Sequence, residues 1–359
     1  MVVDRLTSVP QLESLKSRWI ELHQQDEYAH FFTSWEWLHA CLMTERNQWM
    51  VLGVRDGDGP YVAFLPLGDG RFPAVGPPLN RELYLAGIPR ADYTGMLLAK
   101  GYESRVLPAL ARYIESLKWD NFTLNDWPDD RIAAMIAEFP EMKYRTTTTE
   151  PSPCPFVTLP ATWDEYMKSR GRHMRHTLKA KMRKLETLEG FRWEIASAND
   201  ADAAIDRLLF LNASRWKKSH SKREKMFGEL FRRCYASGNF LIGSIKIGDL
   251  TVASQGSFID RHSKTLLAYM MGFDPAYSHV SPGSSLVALS IRTAIETGFA
   301  FYDLSRGEET YKKSFATDTR FSNHVTLTRR TLRVAAVNAG RNGYFTAKNI
   351  ARGILRRSA

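Results

Sequence analysis

The segment from Phe299 to Lys313 brings carboxylates, cations and phenols together within fifteen residues. An apolar run, Phe299-Ala300-Phe301-Tyr302, ends at Asp303, and a charged loop with Arg306, Gly307, Glu308, Glu309, Tyr311, Lys312 and Lys313 follows. A carboxylate closing an apolar strand, with cations and a phenol just beyond it, places ionisable groups at a sheet edge, where sites often form. The same residues also fit a solvated loop in which Asp303 pairs with Arg306. A second segment, Ser281-Pro282-Gly283-Ser284-Ser285, stands immediately before a helical stretch that runs to about Thr297 and stops at Gly298. Small residues leave the free N–H groups of a helix start accessible, and the helix dipole adds positive charge, so a pyrophosphate would sit there well. Pro282 and Ser284 would equally serve to start and cap the helix and do no more.

Other candidates are less specific. Ala91-Asp92-Tyr93-Thr94-Gly95 sets a carboxylate beside a phenol in a loop, which a surface turn would also explain. His173 and His176 share a helix face, but no third ligand is placed by the sequence and no metal is expected. The three cysteines, Cys41, Cys154 and Cys234, are far apart and lack CxxC spacing, which points to a reducing, cytoplasmic setting.

The elements that must position these groups can be read from periodicity. A helix is expected with Leu12, Leu15, Trp19 and Leu22 on one face, then a hairpin with arms Trp49–Val54 and Tyr61–Leu67 around Asp56-Gly57-Asp58-Gly59. A Pro/Gly-rich loop over Phe72–Asn80, a helix over Arg105–Leu117, a strand near Asn121–Leu124 and a helix over Asp130–Phe139 complete the first half. The polar, proline-punctuated stretch Thr146–Pro155 reads as a linker. Beyond it, one long basic helix is expected from Trp163 to Leu188 and a second over Ala201–Trp216. Three antiparallel strands then follow at Phe240–Ile247, Thr251–Ile259 and Lys264–Met271, and a last strand at Phe299–Leu304. The expected divisions are 1–150, 151–330 and a basic tail, 331–359.

The net charge of +10 is concentrated in that tail. After Asp318 there are nine Lys and Arg and no acidic residue, which leaves +1 for the first 318 residues. A footprint for nucleic acid over the whole chain is therefore weaker than the overall basicity suggests. Tyr344, Ala347, Ile350, Ala351 and Ile354 fall on one face of a helical projection of the tail, with the cations elsewhere. Contact with an anionic membrane surface fits this pattern, as do docking onto the body and disorder. The N-terminus has no basic region followed by an apolar run, and no stretch reaches the roughly 18 apolar residues of a membrane span.

Taken in order, these segments resemble the GNAT-type acetyltransferases related to CelD, which share two GNAT-like halves with the Fem-type aminoacyl transferases. The resemblance spans about residues 28–328. It rests on Phe31 to Trp37, Val62 to Leu67, Asp92-Tyr93, Cys154-Pro155-Phe156, Leu159 to Tyr166, Arg172 to Leu185, Gly272 to Tyr277, Ser281-Pro282-Gly283 and Asp303 to Lys312. It implies an α/β fold of two tandem GNAT-like domains, each a mixed, largely antiparallel sheet flanked by helices. It also implies transfer of an acetyl or other acyl group from acyl-CoA to an amine or hydroxyl of a small polar, possibly sugar, acceptor, by direct attack on the thioester. On this reading Ser281, Gly283, Ser284 and Ser285 bind the donor. Asp303, Arg306 and Lys312 face the acceptor, Tyr311 protonates the departing thiolate, and Asp92 and Tyr93 shape the acceptor cleft from a first half without cofactor. The family's phosphate loop has two glycines where His279-Val-Ser-Pro-Gly283-Ser-Ser has one. The alternatives are a Fem-type transferase using aminoacyl-tRNA and a non-catalytic GNAT-like regulatory protein.

Overall fold

The computed structural model describes residues 1–44, 48–70, 80–216, 221–337 and 339, excepting the side chains of 215–216 and 221–225. The expected Pro/Gly-rich loop, apart from Asn80, and the tail from residue 340 lie outside the described residues. In chain order the elements begin β1 (Val2–Leu6), α1 (Val9–Ser14), α2 (Lys16–Gln25), α3 (Trp35–Met43), β2 (Gln48–Arg55), β3 (Tyr61–Gly70), β4 (Glu82–Leu85) and β5 (Leu97–Leu98). They continue with α4 (Glu103–Ser116), β6 (Asn121–Trp127), α5 (Asp130–Ala137), β7 (Tyr144–Thr158), α6 (Trp163–Ser169), α7 (Arg172–Glu186), β8 (Phe191–Ile195), α8 (Ala201–Trp216) and α9 (Ser221–Ala236). The last are β9 (Phe240–Ile247), β10 (Leu250–Asp260), β11 (Thr265–Phe273), α10 (Pro282–Glu296), β12 (Phe301–Asp303), α11 (Thr310–Phe315) and β13 (Asp318–Arg329).

The chain forms two compact units, each a mixed, mostly antiparallel sheet with helices against it. The first comprises Met1–Tyr28, Glu45–Pro151 and Ser322–Ala359, the second Ala29–Thr44 and Ser152–Phe321. This partition differs from the expected 1–150, 151–330 and 331–359 for reasons visible in single contacts. Phe31 stacks on Phe258 of β10, ring centroids 4.6 Å apart, and its N–H donates to the Asp260 carboxylate at 3.0 Å, so 29–44 belong with the second unit. At the other end β13 pairs with β6 from Asn323 to Thr328, which carries the chain into the first unit.

In the first unit the strands run β1-β2-β3-β4-β6-β13, with β4 and β6 parallel and the neighbouring pairs antiparallel. Val62 through Leu67 of β3 are all buried, as a central strand covered on both faces requires. Val106, Leu110 and Ile114 of α4 and Ile132 and Met135 of α5 pack against Leu52, Leu65, Phe122 and Leu124. In the second unit the order is β7-β12-β11-β10-β9-β8. Apolar residues of α6, α7 and α10 bury against this sheet, among them Met167, Leu178, Val287 and Ile291. Phe231 of α9 joins the aromatic cluster around Phe240 and Phe258. α8 approaches β11 so closely that a Cβ on Gly272 would run into the Leu211–Asn212 backbone.

Two expectations are corrected. The supposed linker 146–155 lies within strand β7. Its β-branched threonines favour extended backbone, and Pro153 and Pro155, which lack a donor, are used through their carbonyls, accepting from Gly307 and Leu304 at 3.0 Å each. The long helix from Trp163 to Leu188 is two, α6 and α7, divided at Arg170-Gly171. Arg170 is extended there, and the Arg175 guanidinium donates to the carbonyls of Lys168 (3.1 Å) and Arg170 (2.6 Å), closing the C-terminal end of α6.

Candidate functional site

The second unit presents a cavity of about 350 Å³ bounded by α7, the start of α10 and α11. His173, Thr177 and Lys181 of α7, Ser284 of α10, and Thr310, Tyr311 and Ser314 of α11 supply its polar wall, with Met174, Leu178 and Phe315 as the apolar part. Leu178 and Phe315 belong to the buried core beneath, so the wall rests on fixed packing. α11 is short and is held from outside itself. The Tyr166 hydroxyl donates to the Phe315 carbonyl at 3.0 Å, and Arg170 donates to the carbonyls of Phe315 and Ala316 at 3.2 and 2.6 Å. Burial pushes the Tyr166 phenol well above its ordinary range, so it stays a neutral donor.

The entrance to α10 is open and positive. Its N-cap, Ser281, is left-handed (φ 54°, ψ 50°) and makes no side-chain cap, and the first turn holds no acidic residue. Ser285 is buried and turns its hydroxyl back to the Ser281 carbonyl at 3.4 Å, whereas Ser284 faces the cavity. The Lys181 ammonium donates to Ser284 Oγ at 3.2 Å, and the Lys184 ammonium to the His279 carbonyl at 2.8 Å. Cations beside the positive end of a helix repel its dipole, an arrangement that an anion would relieve. A Cβ on Gly283 would meet only the Phe273 ring, at 3.5 Å, in ordinary contact.

Asp303 and Lys312 meet through a loop. β12 pairs with β11 only from Thr265 to Leu267, after which the strands part. The Ser305 hydroxyl then takes the Ala268 carbonyl at 2.8 Å. Ser305 is left-handed (φ 62°) and its N–H donates to the Asp303 carboxylate at 2.7 Å. Lys312 is buried, and its three N–H bonds are engaged by the carbonyls of Ser305 (3.2 Å) and Arg306 (2.7 Å) and by the Glu309 carboxylate (3.0 Å). Gly307 turns at φ 138°, where a Cβ would strike Glu309. Arg306 is half-buried on this loop.

The structure thus brings Ser284 and Tyr311 into one cavity, while Asp303 and Lys312 brace the loop between β12 and α11. Asp92 and Tyr93 are in the first unit, Asp92 half-buried and Tyr93 buried. Next to them Thr94 is fixed by its N–H to the Asp126 carbonyl (2.7 Å) and its hydroxyl to the Asn125 carbonyl (2.6 Å). Of the two histidines, His173 lines the cavity and His176 is exposed. Among the described residues no group of three His, Cys, Asp or Glu could hold a metal ion. No described helix is long and apolar enough to cross a membrane. Sequence reasoning did not single out Lys181, Thr177 or Ser314. The signal available was the helical spacing of Thr177 and Lys181 with His173 and Met174 on α7.

Residues 172–313 match the family model of the Acetyltransferase (GNAT) domain, a span that contains the cavity residues from His173 to Tyr311 and stops just short of Ser314 and Phe315. No curated protein matches the chain in sequence. Among solved structures, FemX superposes with a TM-score of 0.61 at 9% identity, covering 89% of this chain and 96% of its own. The C-terminal (DUF2156) domain of a putative lysylphosphatidylglycerol synthetase from Agrobacterium fabrum gives 0.56 at 9%, covering 91% and 95%. L-PGS from Bacillus licheniformis gives 0.54 at 10%, covering 93% and 96%. At such identities the likeness is one of fold, and that fold is the tandem GNAT-like arrangement of two mixed sheets.

Proposed function

We propose that the chain is an N- or O-acyltransferase of the CelD-related type that takes its acyl group from acyl-CoA. The observation that carries the reading is the Lys181–Ser284 contact at the uncapped start of α10, beside a cavity that also holds Tyr311. The residues present suit a phosphorylated donor: free helix N–H groups, a lysine and no carboxylate in the first turn. Bound there, acyl-CoA supplies a thioester carbonyl for direct attack by an amine or hydroxyl. Ser281 to Ser285 and Lys181 hold the phosphates, and Tyr311 donates a proton to the leaving thiolate. Asp303 and Lys312 keep Arg306 and its loop on the acceptor side. Asp92 and Tyr93 are assigned to a polar, possibly sugar, acceptor, and the first unit to acceptor binding without a cofactor of its own.

The test is calorimetric titration with acetyl-CoA, which should give one site per chain. Gly283→Val should weaken that binding by about tenfold or more, since a branched side chain covers helix N–H groups that anchor the phosphate. The same variant should melt like the parent, as the space around Gly283 allows. Unchanged affinity would remove the assignment. One further observation favours a second donor. Arg172, His176, Lys179 and Arg183 form an exposed basic stripe along α7, which would suit the backbone of an aminoacyl-tRNA. Binding of tRNA that weakens steeply with salt, without acyl-CoA binding, would select that reading.

A further inference from the structure

With Tyr311 protonating the departing thiolate, the proton of the attacking amine or hydroxyl still needs an acceptor. A side chain placed to take it typically speeds such a step by about 10²–10⁴-fold. Asp303, the carboxylate that closes β12, is 1% exposed and accepts the Ser305 N–H at 2.7 Å, which braces its own loop. Glu309 is turned to the Lys312 ammonium at 3.0 Å. Neither carboxylate is among the described side chains that line the cavity. The polar wall there consists of four hydroxyls, the Tyr311 phenol, the Lys181 ammonium and one imidazole, that of His173. Of these, an imidazole is the group that commonly takes up a proton near neutral pH.

His173, Thr177 and Lys181 follow one ridge of α7, and all three line the cavity. Just over two helical turns, about 12 Å, separate His173 from Lys181. Lys181 meets Ser284 at the start of α10. The other end of the ridge lies toward α11, because Arg170, just ahead of α7, donates to the carbonyls of Phe315 and Ala316. That spacing suits a donor whose phosphates sit at α10 and whose thioester, on its flexible pantetheine arm, reaches α11. His173 is exposed, and no described residue hydrogen-bonds its ring. We infer that His173 is the base of the transfer, a role that rests on the acyl-CoA reading of the same cavity. The acceptor nitrogen or oxygen bonds to the thioester carbonyl carbon as its proton passes to the unprotonated ring nitrogen of His173. The carbon–sulfur bond then breaks and the Tyr311 phenol gives its proton to the thiolate. The imidazolium proton restores the phenol through solvent. Acyl-CoA and acceptor thus leave as acylated acceptor and free CoA, with no net proton released.

The test follows loss of the thioester absorbance of acetyl-CoA, with water or glucosamine as acceptor, in the full chain and in its His173→Ala variant. Calorimetry comes first, and a parent that does not bind acetyl-CoA overturns the acyl-CoA reading and this role with it. His173→Ala should keep donor affinity within about twofold and turn over about a hundredfold more slowly. It should melt like the parent, since the ring has no hydrogen bond to lose. Free imidazole in the buffer should restore part of the variant's rate while leaving the parent's unchanged, which the loss of a merely structural side chain would not allow. A variant with the parent rate overturns the inference, as does a lost rate that imidazole leaves unrestored. So does a parent that binds acetyl-CoA yet turns it over no faster than buffer with either acceptor. A variant that loses donor affinity but turns over bound donor as before makes His173 a donor contact, and overturns it too.

Discussion

Lys181→Met separates an anion site from a structural contact because it should leave the stability of the free protein nearly unchanged while weakening donor binding. In the free protein the Lys181 ammonium sits at Ser284, in the first turn of α10, where the helix end is already positive. That repulsion is worth about 0.3–1 kcal/mol, against a half-exposed hydrogen bond of about 1 kcal/mol, so the net effect on free-state stability is near zero. A phosphate on the α10 N–H groups would stand about 4 Å from the ammonium, an attraction of about 4 kcal/mol at an effective dielectric near 20. Lys181 is half-buried, so solvent screening reduces the useful part to about 1–2 kcal/mol, or about 5–30-fold in affinity. Thermal melts without ligand and calorimetry with acetyl-CoA measure the two effects, and the affinity difference should shrink as salt rises. A variant that loses more than about 1 kcal/mol of stability while binding donor as before would refute the reasoning, since a mere strut behaves that way.

Three further outcomes follow from the geometry. Tyr311→Phe should lower kcat by about a hundredfold with donor affinity unchanged, because only the proton donor is lost; steady-state kinetics beside calorimetry checks this. Lys312→Met should cost about 2 kcal/mol, since it leaves the Ser305 and Arg306 carbonyls without their donor, and should expose the Leu304–Glu309 loop to limited proteolysis. Gly272→Ala should cost about 3 kcal/mol or more in denaturant melts, as its Cβ meets the α8 backbone rather than a movable side chain.

What the sequence made legible was local. The strands β9, β10 and β11 were placed to within a residue or two because apolar, β-rich runs are interrupted by turn residues, and Gly248 and Lys264 do adopt the left-handed backbone such turns need (φ 57° and 50°). What stayed hidden was decided by distant partners. Thr146–Pro155 has the composition of a linker, yet it continues the strand whose Phe156 to Thr158 pair with β12, and its Pro155 and Pro153 carbonyls accept from Leu304 and Gly307 just beyond. The 29–44 segment reads as part of the first half until Phe31 finds Phe258 and Asp260, more than two hundred residues away. Lys181 lies in a run of charge, and only the fold distinguishes the one lysine turned to Ser284 from its solvated neighbours. Asp303 and Lys312 stand out by residue type and position, but their burial and their shared loop are tertiary facts.

The same strand–helix–strand crossover occurs in both units, with α4 leading to β6 parallel to β4, and α10 leading to β12 parallel to β11. The two helix entrances nevertheless differ in charge. α4 begins with Glu103 in its first turn, so a carboxylate already occupies the place where an anion would be favoured. Arg105, a cation near that end, is taken up by a two-pronged pair with Asp56 at 2.8 and 2.6 Å. α10 has no acidic residue in its first turn, small residues at its start and Lys181 brought to it from α7. The two crossovers, alike in strand order, therefore offer an anion two different welcomes, neutralised in the first unit and unopposed in the second. That difference in side-chain charge, together with the left-handed Ser281 that opens α10 where Tyr102 before α4 is right-handed, is the physical ground for proposing the donor site in the second unit alone.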